Sequence, residues 1–382
     1  MDGLDFTLEQ TKDISAISTD DWNRLAGDGN PFVRHEFLKA METGGAVGND
    51  SGWEPLHLLL RDSEGSLLGA VPHYIKHHSY GEYIFDHSWA DGFMRAGGQY
   101  YPKLLGAVPF TPAAGPRLLA RDNRDDIKAA LAYGITQLID KYSLSSAHLN
   151  FLPKDDLAPL RAAGWLIRSG LQFHWHNKDY KDFDDFLSGL SSRKRKNIKK
   201  ERQSVHDAGV RMIQLTGSDI TQTHIDTFFR FYISTIDRKW GGAYLTHDVF
   251  RDLHRTMSDK ILLVLAEYQG RIIAGAINFI GDDCLYGRNW GADLDIPNLH
   301  FETCYYQAID FAIAHGLARV EAGAQGFHKV QRGYLPAKTY SAHWIAHDGF
   351  KDAIARFLTA ESRGIEAEKN HIDFVSPFKK DG

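Results

Sequence analysis

Cysteine is scarce. Cys284 and Cys304 are the two thiols in 382 residues, too few for a disulfide framework, and a reducing compartment follows. Long apolar runs are missing as well; none reaches the ~20 residues that span a bilayer. The first residues, Met1-Asp2-Gly3-Leu4-Asp5, are acidic and contain no apolar signal core. The expectation is a soluble, cytoplasmic protein without a membrane span. Positive charge is not in excess either. Lys and Arg number 44 against 49 Asp and Glu, a net charge of -5, so any nucleic-acid contact must come from a local basic patch and not from the field of the whole molecule. No low-complexity segment interrupts the chain. Its length allows two or three domains, each with a core of its own.

What is present repeats itself. His57 to Asp62, then Glu64-Gly65, then Ser66 to Ile75 reads as an apolar strand, a polar turn with glycine and a second apolar strand. Leu262 to Glu267, Gln269-Gly270 and Arg271 to Ile280 read the same way. Each is an antiparallel hairpin whose near-continuous apolar strands are buried. A third strand is expected after each hairpin, Glu82 to Trp89 and Cys284 to Trp290. A helix follows in both halves. Asp125 to Tyr142 sets Ile127, Leu131, Ile135, Leu138 and Ile139 on one face, and Asn298 to His315 does so with Phe301, Tyr305, Ile309, Ala312 and Ile313. Asn298 is a candidate N-cap and Gly316 a candidate stop. Strands at Ala147 to Leu152 and Ala318 to Gly323 come next. Hairpin, strand, helix, strand, twice over, predicts an α/β protein of tandem duplicated GNAT-like mixed sheets with flanking helices. The polar segment Asn177 to Asp184 is the expected boundary, giving domains at 1–178 and 179–382, and Glu361 to His371 reads as a polar helical tail.

The densest charge lies in Ser191-Ser192-Arg193-Lys194-Arg195-Lys196-Asn197-Ile198-Lys199-Lys200-Glu201-Arg202. A serine suited to cap it precedes the run and Gly209 follows it, so it is read as a basic helix. Such a helix collects phosphates by releasing counterions, or is simply a solvated face.

Several strings carry a family resemblance. In the second half they are Tyr286-Gly287-Arg288-Asn289-Trp290-Gly291, Leu299 to Gln307, Glu321 to Lys329 and Arg332-Gly333-Tyr334. In the first half they are His78 to Asp86, Tyr100 to Leu104 and Ala107 to Pro112. Nearly the whole chain resembles the FemAB-like branch of the GNAT superfamily, a peptidoglycan biosynthesis or recognition family. The resemblance implies acyl transfer. Fem-type relatives look like aminoacyl-tRNA-dependent transferases that extend a peptidoglycan precursor. The basic run ending in Ala208-Gly209-Val210 resembles their Arg-rich helix, and Gly326 to Tyr334 resembles their glycine-aromatic-basic loop. In that register the family's functional lysine falls on Gln331, beside Arg332.

N-acyl transfer needs a base for the amine and donors for the oxyanion. The resemblance implies that the third strand and the strand after the helix splay apart and that the reactants meet there. His328 and Glu302 are the candidate bases, and Lys329 and Arg332 the candidate oxyanion or phosphate donors. Arg288, Trp290, His300, Tyr305, Glu321 and Gln325 are candidate substrate-binding residues. Each has a structural alternative as a paired side chain inside the fold. Cys304 reads as a core thiol more readily than as a nucleophile. His300 and Glu302, two apart on a helix, do not share a face, which argues against a metal site. Arg193, Arg195 and Lys199 are candidate phosphate ligands. Arg117 is another, in the weak loop Thr111 to Arg117. The segment Gly291 to Asn298 holds Asp293 and Asp295, which would repel a pyrophosphate. The sequence thus leans from acyl-CoA toward aminoacyl-tRNA as donor, with an amine or peptide as acceptor and no tightly bound cofactor. A CoA-dependent N-acetyltransferase and a non-catalytic recognition module are the alternatives.

Overall fold

The computed structural model describes residues 6–48, 51–237, 242–323 and 326–379. Among them the strands run β1 (Phe6–Thr11), β2 (Trp53–Pro55), β3 (His57–Asp62), β4 (Leu67–Val71), β5 (His73–Lys76), β6 (Lys103–Gly106), β7 (Leu119–Ala120) and β8 (Ser146–Leu152). They continue with β9 (Leu166–His176), β10 (Val210–Thr216), β11 (Ile261–Tyr268), β12 (Arg271–Ile280), β13 (Cys284–Ala292), β14 (Arg319–Glu321) and β15 (Leu335–Ile345). The chain divides into two compact units. One is Met1–Gly170 with Lys338–Glu366; the other is Leu171–Ala337 with Ala367–Gly382. The sequence expects one cut at 178/179, whereas the structure returns the late segment 338–366 to the first unit.

In the first unit an antiparallel sheet has the order β1-β3-β4-β7, and a second set of strands pairs in the order β15-β8-β6-β5-β2. Asp62 closes the β3–β4 turn by accepting from the amides of Glu64 and Ser66. The strand expected from Ser66 to Ile75 breaks at Pro72, which has no amide to give a ladder; β4 stays with β3 while β5 pairs with β2 and β6. The helix Asp125–Tyr142 buries its predicted face, Ile127, Leu131, Ile135, Leu138 and Ile139, against Leu58, Val71, Leu104 and Leu149. One expectation is corrected. Residues 82–89 are not a strand: a loop runs to Asp86 and the helix His87–Arg95 follows. Gly81 and Tyr83 take positive φ (79° and 59°), which breaks an extended run, and β6 takes the strand position.

The second unit orders its strands β10-β11-β12-β13-β14-β9, antiparallel throughout except for the parallel pair β13–β14. Gln269 and Gly270, both at positive φ, make the tight hairpin between β11 and β12. The helical crossover from β13 to β14 begins at Leu299–Phe301, widens through one π turn at Glu302–Tyr306 and ends as Gln307–Ala314. Gly316 at φ 65° stops it as expected. Asn298 does not cap it. Asn298 is itself left-handed, and its amide donates to Ser204 Oγ at 2.9 Å. The basic run forms the helix Ser192–Asp207, with no side-chain cap from Ser191. The tail is helical from Asp348 to Phe374. No helix among the described residues is long and apolar enough to cross a membrane.

Candidate active site

The site follows from a pairing that stops early. β13 stays paired with β12 through Ala292, but it pairs with β14 only over Cys284–Tyr286. Beyond Tyr286 and Glu321 the two parallel strands are no longer joined. This is the splay the resemblance implies. Trp290 lies on the released part of β13, and the chain leaving β14 leads to the short helix Phe327–Arg332.

Aromatic rings line this opening. His300 stands edge-on to Trp290 and Tyr305, with ring centroids at 5.2 and 5.4 Å, and lies 6.3 Å from His328. The Tyr305 hydroxyl and His328 Nε2 are 2.9 Å apart. Gly326, at φ 115°, holds the turn open, because a side chain there would fall on the His328 ring. His328 is exposed. Partial burial, with Lys329 and Arg332 nearby, holds its pKa below the ordinary imidazole range, so the ring is neutral and able to take a proton at neutral pH.

Lys329 points the other way. Its ammonium donates to the carbonyls of Ala322 and Gly323 at 2.6 and 3.1 Å, pinning the segment that leaves β14. Burial pushes it down to about 8. Arg332 donates through Nε and Nη2 to the Glu201 carboxylate at 3.1 and 2.8 Å, and through Nη1 to the His328 carbonyl at 2.8 Å. Its guanidinium lies 3.3 Å from the Phe301 ring centre. The Tyr306 hydroxyl also donates to Glu201. Glu201, the one acid inside the basic run, therefore ties the basic helix to the His328 loop. The sequence reading misses it; its sole signal is an acid among seven basic residues.

The structure brings Trp290, His300, Tyr305, His328, Lys329 and Arg332 into one neighbourhood, with Arg288 half-buried on the same stretch of β13. Glu302 belongs elsewhere. It accepts from Arg202 at 3.0 and 3.2 Å and from Gln307 at 2.8 Å. With Asp310, Lys199 and Phe183 these residues line an open cleft of about 760 Å³. Burial raises the Glu302 carboxyl against the pull of Arg202. Its geometry is that of an ion-paired group, not of a base beside His328. Glu321 is buried, 3.4 Å from Arg319 and 4.0 Å from His174. Gln325 lies outside the described residues. Cys304 is half-buried, and burial pushes its thiol upward, the reverse of what a nucleophile needs.

Of the candidate phosphate ligands, Arg193 is exposed, Arg195 is half-buried and Lys199 is exposed and 2.7 Å from Asp184. Arg117 is corrected. It is fully buried and donates to the carbonyls of Ala113, Gly115 and Pro116, so it braces its own loop and does not face a phosphate. Among the described residues no group of three His, Cys, Asp or Glu is arranged to hold a metal ion.

A family model described as FemAB-like, peptidoglycan biosynthesis/recognition, matches residues 13–380. No curated protein sequence matches the chain. Among solved structures, FemX is similar over 91% of this chain and 100% of its own, with a TM-score of 0.55 at 11% identity. L-PGS from Bacillus licheniformis is similar over 84% of this chain and 94% of its own, with a TM-score of 0.50 at 10% identity. The C-terminal domain of a putative lysylphosphatidylglycerol synthetase from Agrobacterium fabrum is similar over 89% and 96%, with a TM-score of 0.52 at 8% identity. At such identities the likenesses speak for the fold. The family match spans almost the full length, so the chain belongs to the FemAB-like family, peptidoglycan biosynthesis/recognition, and it shares the fold of FemX and L-PGS.

Proposed function

We propose that this protein transfers an acyl or aminoacyl group to an amine, on a peptidoglycan-related or other peptide acceptor, with the chemistry at the opening between β13 and β14. The observation that carries this reading is the Tyr305–His328 hydrogen bond beside that opening, with the imidazole neutral and exposed. His328 takes the proton from the attacking amine and passes it to the departing oxygen of the tRNA ribose as the ester C–O bond breaks and the amide C–N bond forms, and Tyr305 holds the ring. Trp290, His300 and Arg288 border the space for the substrate. Lys329 fixes the carbonyls of Ala322 and Gly323 on the segment that leaves β14. Arg332 positions His328 through its backbone carbonyl. Among proton-transfer groups of this kind, loss of one typically costs 10²–10⁴-fold in rate.

The donor in this reading is an aminoacyl-tRNA. The basic face of Ser192–Asp207, with Arg193, Arg195 and Lys199, supports a polyanionic donor. A fold relative named as a putative lysylphosphatidylglycerol synthetase agrees with an aminoacyl group. Acyl-CoA is the alternative donor. The reading includes a cytoplasmic setting and descent of the two halves, 1–178 and 179–382, from one duplicated GNAT-like domain.

Thermal unfolding against mixed aminoacyl-tRNAs and against CoA thioesters separates the donors. A ligand at about 100 times its Kd adds roughly 2.7 kcal/mol. Stabilisation by aminoacyl-tRNA alone is expected, and stabilisation by CoA thioesters alone replaces that donor. With the donor in hand, His328→Asn should lose about 10²–10⁴-fold in transfer rate without a change in unfolding temperature. Full activity in that variant removes His328 from the mechanism.

A further inference from the structure

The first unit contains a buried charged cluster that the proposed chemistry leaves unused. Lys103, on β6, is fully buried. Its ammonium donates to Ser79 Oγ and Glu82 Oε2, each at 2.8 Å, and to Asp86 Oδ2. Tyr100 also donates to Asp86 Oδ2, at 2.7 Å. Behind Tyr100 stand His148, 3.4 Å from its hydroxyl, and His343, whose Nδ1 is 2.7 Å from His148 Nδ1. On the other side Ser79 Oγ meets the hydroxyl of half-buried Tyr101 at 2.8 Å. Lys76, buried over the Trp53 ring, donates to the Tyr80 carbonyl at 3.3 Å. Burying ions costs several kcal/mol each unless every one is paired and fully hydrogen-bonded.

These are not fully hydrogen-bonded. Each carboxylate commits one oxygen to Lys103 and leaves the other without a donor. Glu82 Oε1, Asp86 Oδ1 and Asn150 Oδ1 all lack a partner, and the three residues are 4%, 2% and 1% exposed. The Asn150 amide lies 3.5 Å from the Glu82 carbonyl, so the three belong to one neighbourhood. A buried acceptor left unmade costs about 1–3 kcal/mol, more if charged. Native structures rarely tolerate three together without a missing partner. A partner with several donors satisfies all three at once. A primary ammonium has three N–H donors and no acceptor.

The covering segment, residues 77–86, is shaped and not slack. Tyr83 sits at φ 59°, and a side chain on Gly81 would fall on the Phe110 ring. Backbone held in such conformations collects at ligand sites. Its outer face exposes Tyr80 and Phe85, at 63% and 58%, rings suited to the alkyl stem and charge of an amine. Burial raises the Glu82 carboxyl to about 7, with Lys103 and Lys76 opposing and Asp86 reinforcing the rise. Burial also favours protonation of Asp86, but Lys103 and His148 outweigh it and hold that carboxyl well below its usual range. Burial brings Lys76 down to about 7.

We propose that the first unit carries a second ligand site, in which Glu82, Asp86 and Asn150 receive a primary alkylammonium group.

The test is titration calorimetry of the full chain at about pH 7.5 with n-pentylamine, pentan-1-ol and pentyltrimethylammonium as probes. Saturable binding of pentylamine alone is expected. Glu82→Gln should weaken it about tenfold or more. Asn150→Ala keeps the cluster's charge and should weaken it several-fold, which decides the matter if Glu82→Gln does not fold. Absence of saturable pentylamine binding, equal binding of the alcohol, or undiminished binding in the folded variants overturns the site. His328→Ala should bind pentylamine as the parent does. If that variant also transfers normally, His328 leaves the mechanism and the amine site stands.

Discussion

Lys329 shows how one residue can be read correctly in kind and wrongly in direction. Its position in a glycine-aromatic-basic loop suggests a cation facing the substrate, yet its ammonium binds the carbonyls of Ala322 and Gly323. That burial lowers its pKa from 10.5 to about 8. The unfolded chain therefore binds one more proton than the folded chain between those values, and stability rises with pH across the window. Lys329→Met abolishes this dependence. The parent's stability, compared with Lys329→Met by urea unfolding, should improve by on the order of 3 kcal/mol from pH 8 to 10.5. A flat difference would show that Lys329 is not buried as a charge. The reversal at Arg117 has the same origin. A guanidinium next to Gly115 and Pro116 looks like a phosphate ligand in sequence, but it is fully buried and donates to three carbonyls of its own loop.

Among the elements, the parallel pair β13–β14 and the helix Gln222–Asp237 that packs on β13 decide where the opening lies. Gly291 makes the close packing feasible, since a side chain there would fall on the Phe231 carbonyl. Gly291→Ala must displace backbone, not a flexible side chain. It should destabilise by about 1–3 kcal/mol, read as a lower urea midpoint with unchanged slope; an unchanged midpoint would mean that the helix yields freely. The basic helix makes a different kind of prediction. Arg193, Arg195 and Lys199, each replaced by alanine, should lower the slope of log K for tRNA against log salt by about 0.7–0.9 per lost phosphate contact. An unchanged slope in all three would leave that face merely solvated. The π turn at Glu302–Tyr306 was not legible in the periodicity. It keeps Tyr305 toward His328 while Glu302 pairs with Arg202, so neighbours in sequence serve different clusters.

For the whole molecule, the telling feature is that segment 338–366 belongs with residues 1–170. β15 pairs with β8 from Ser146 to Leu152, Ala342 joins the first core, and His343 bonds to His148. A fragment of residues 1–178 lacks all of these and exposes the edge of β8. It should unfold without a cooperative transition, while the same fragment joined by a linker to 338–366 should regain one. A cooperative transition in 1–178 alone would show that the single expected boundary is a true folding boundary.

By itself the sequence determined the hairpins, the two amphipathic helices, the basic helix, the α/β class and the loop that holds His328. Each depends on local periodicity, turn chemistry or a continuous string of residues. Only the tertiary structure decided which polar groups are partners. Glu201 reaches Arg332 across 131 residues, and Arg202 reaches Glu302 across 100. Lys103 gathers Ser79, Glu82 and Asp86. No spacing rule announces such meetings, because a charge buried far along the chain finds its partner only when the sheets and helices carrying both have packed.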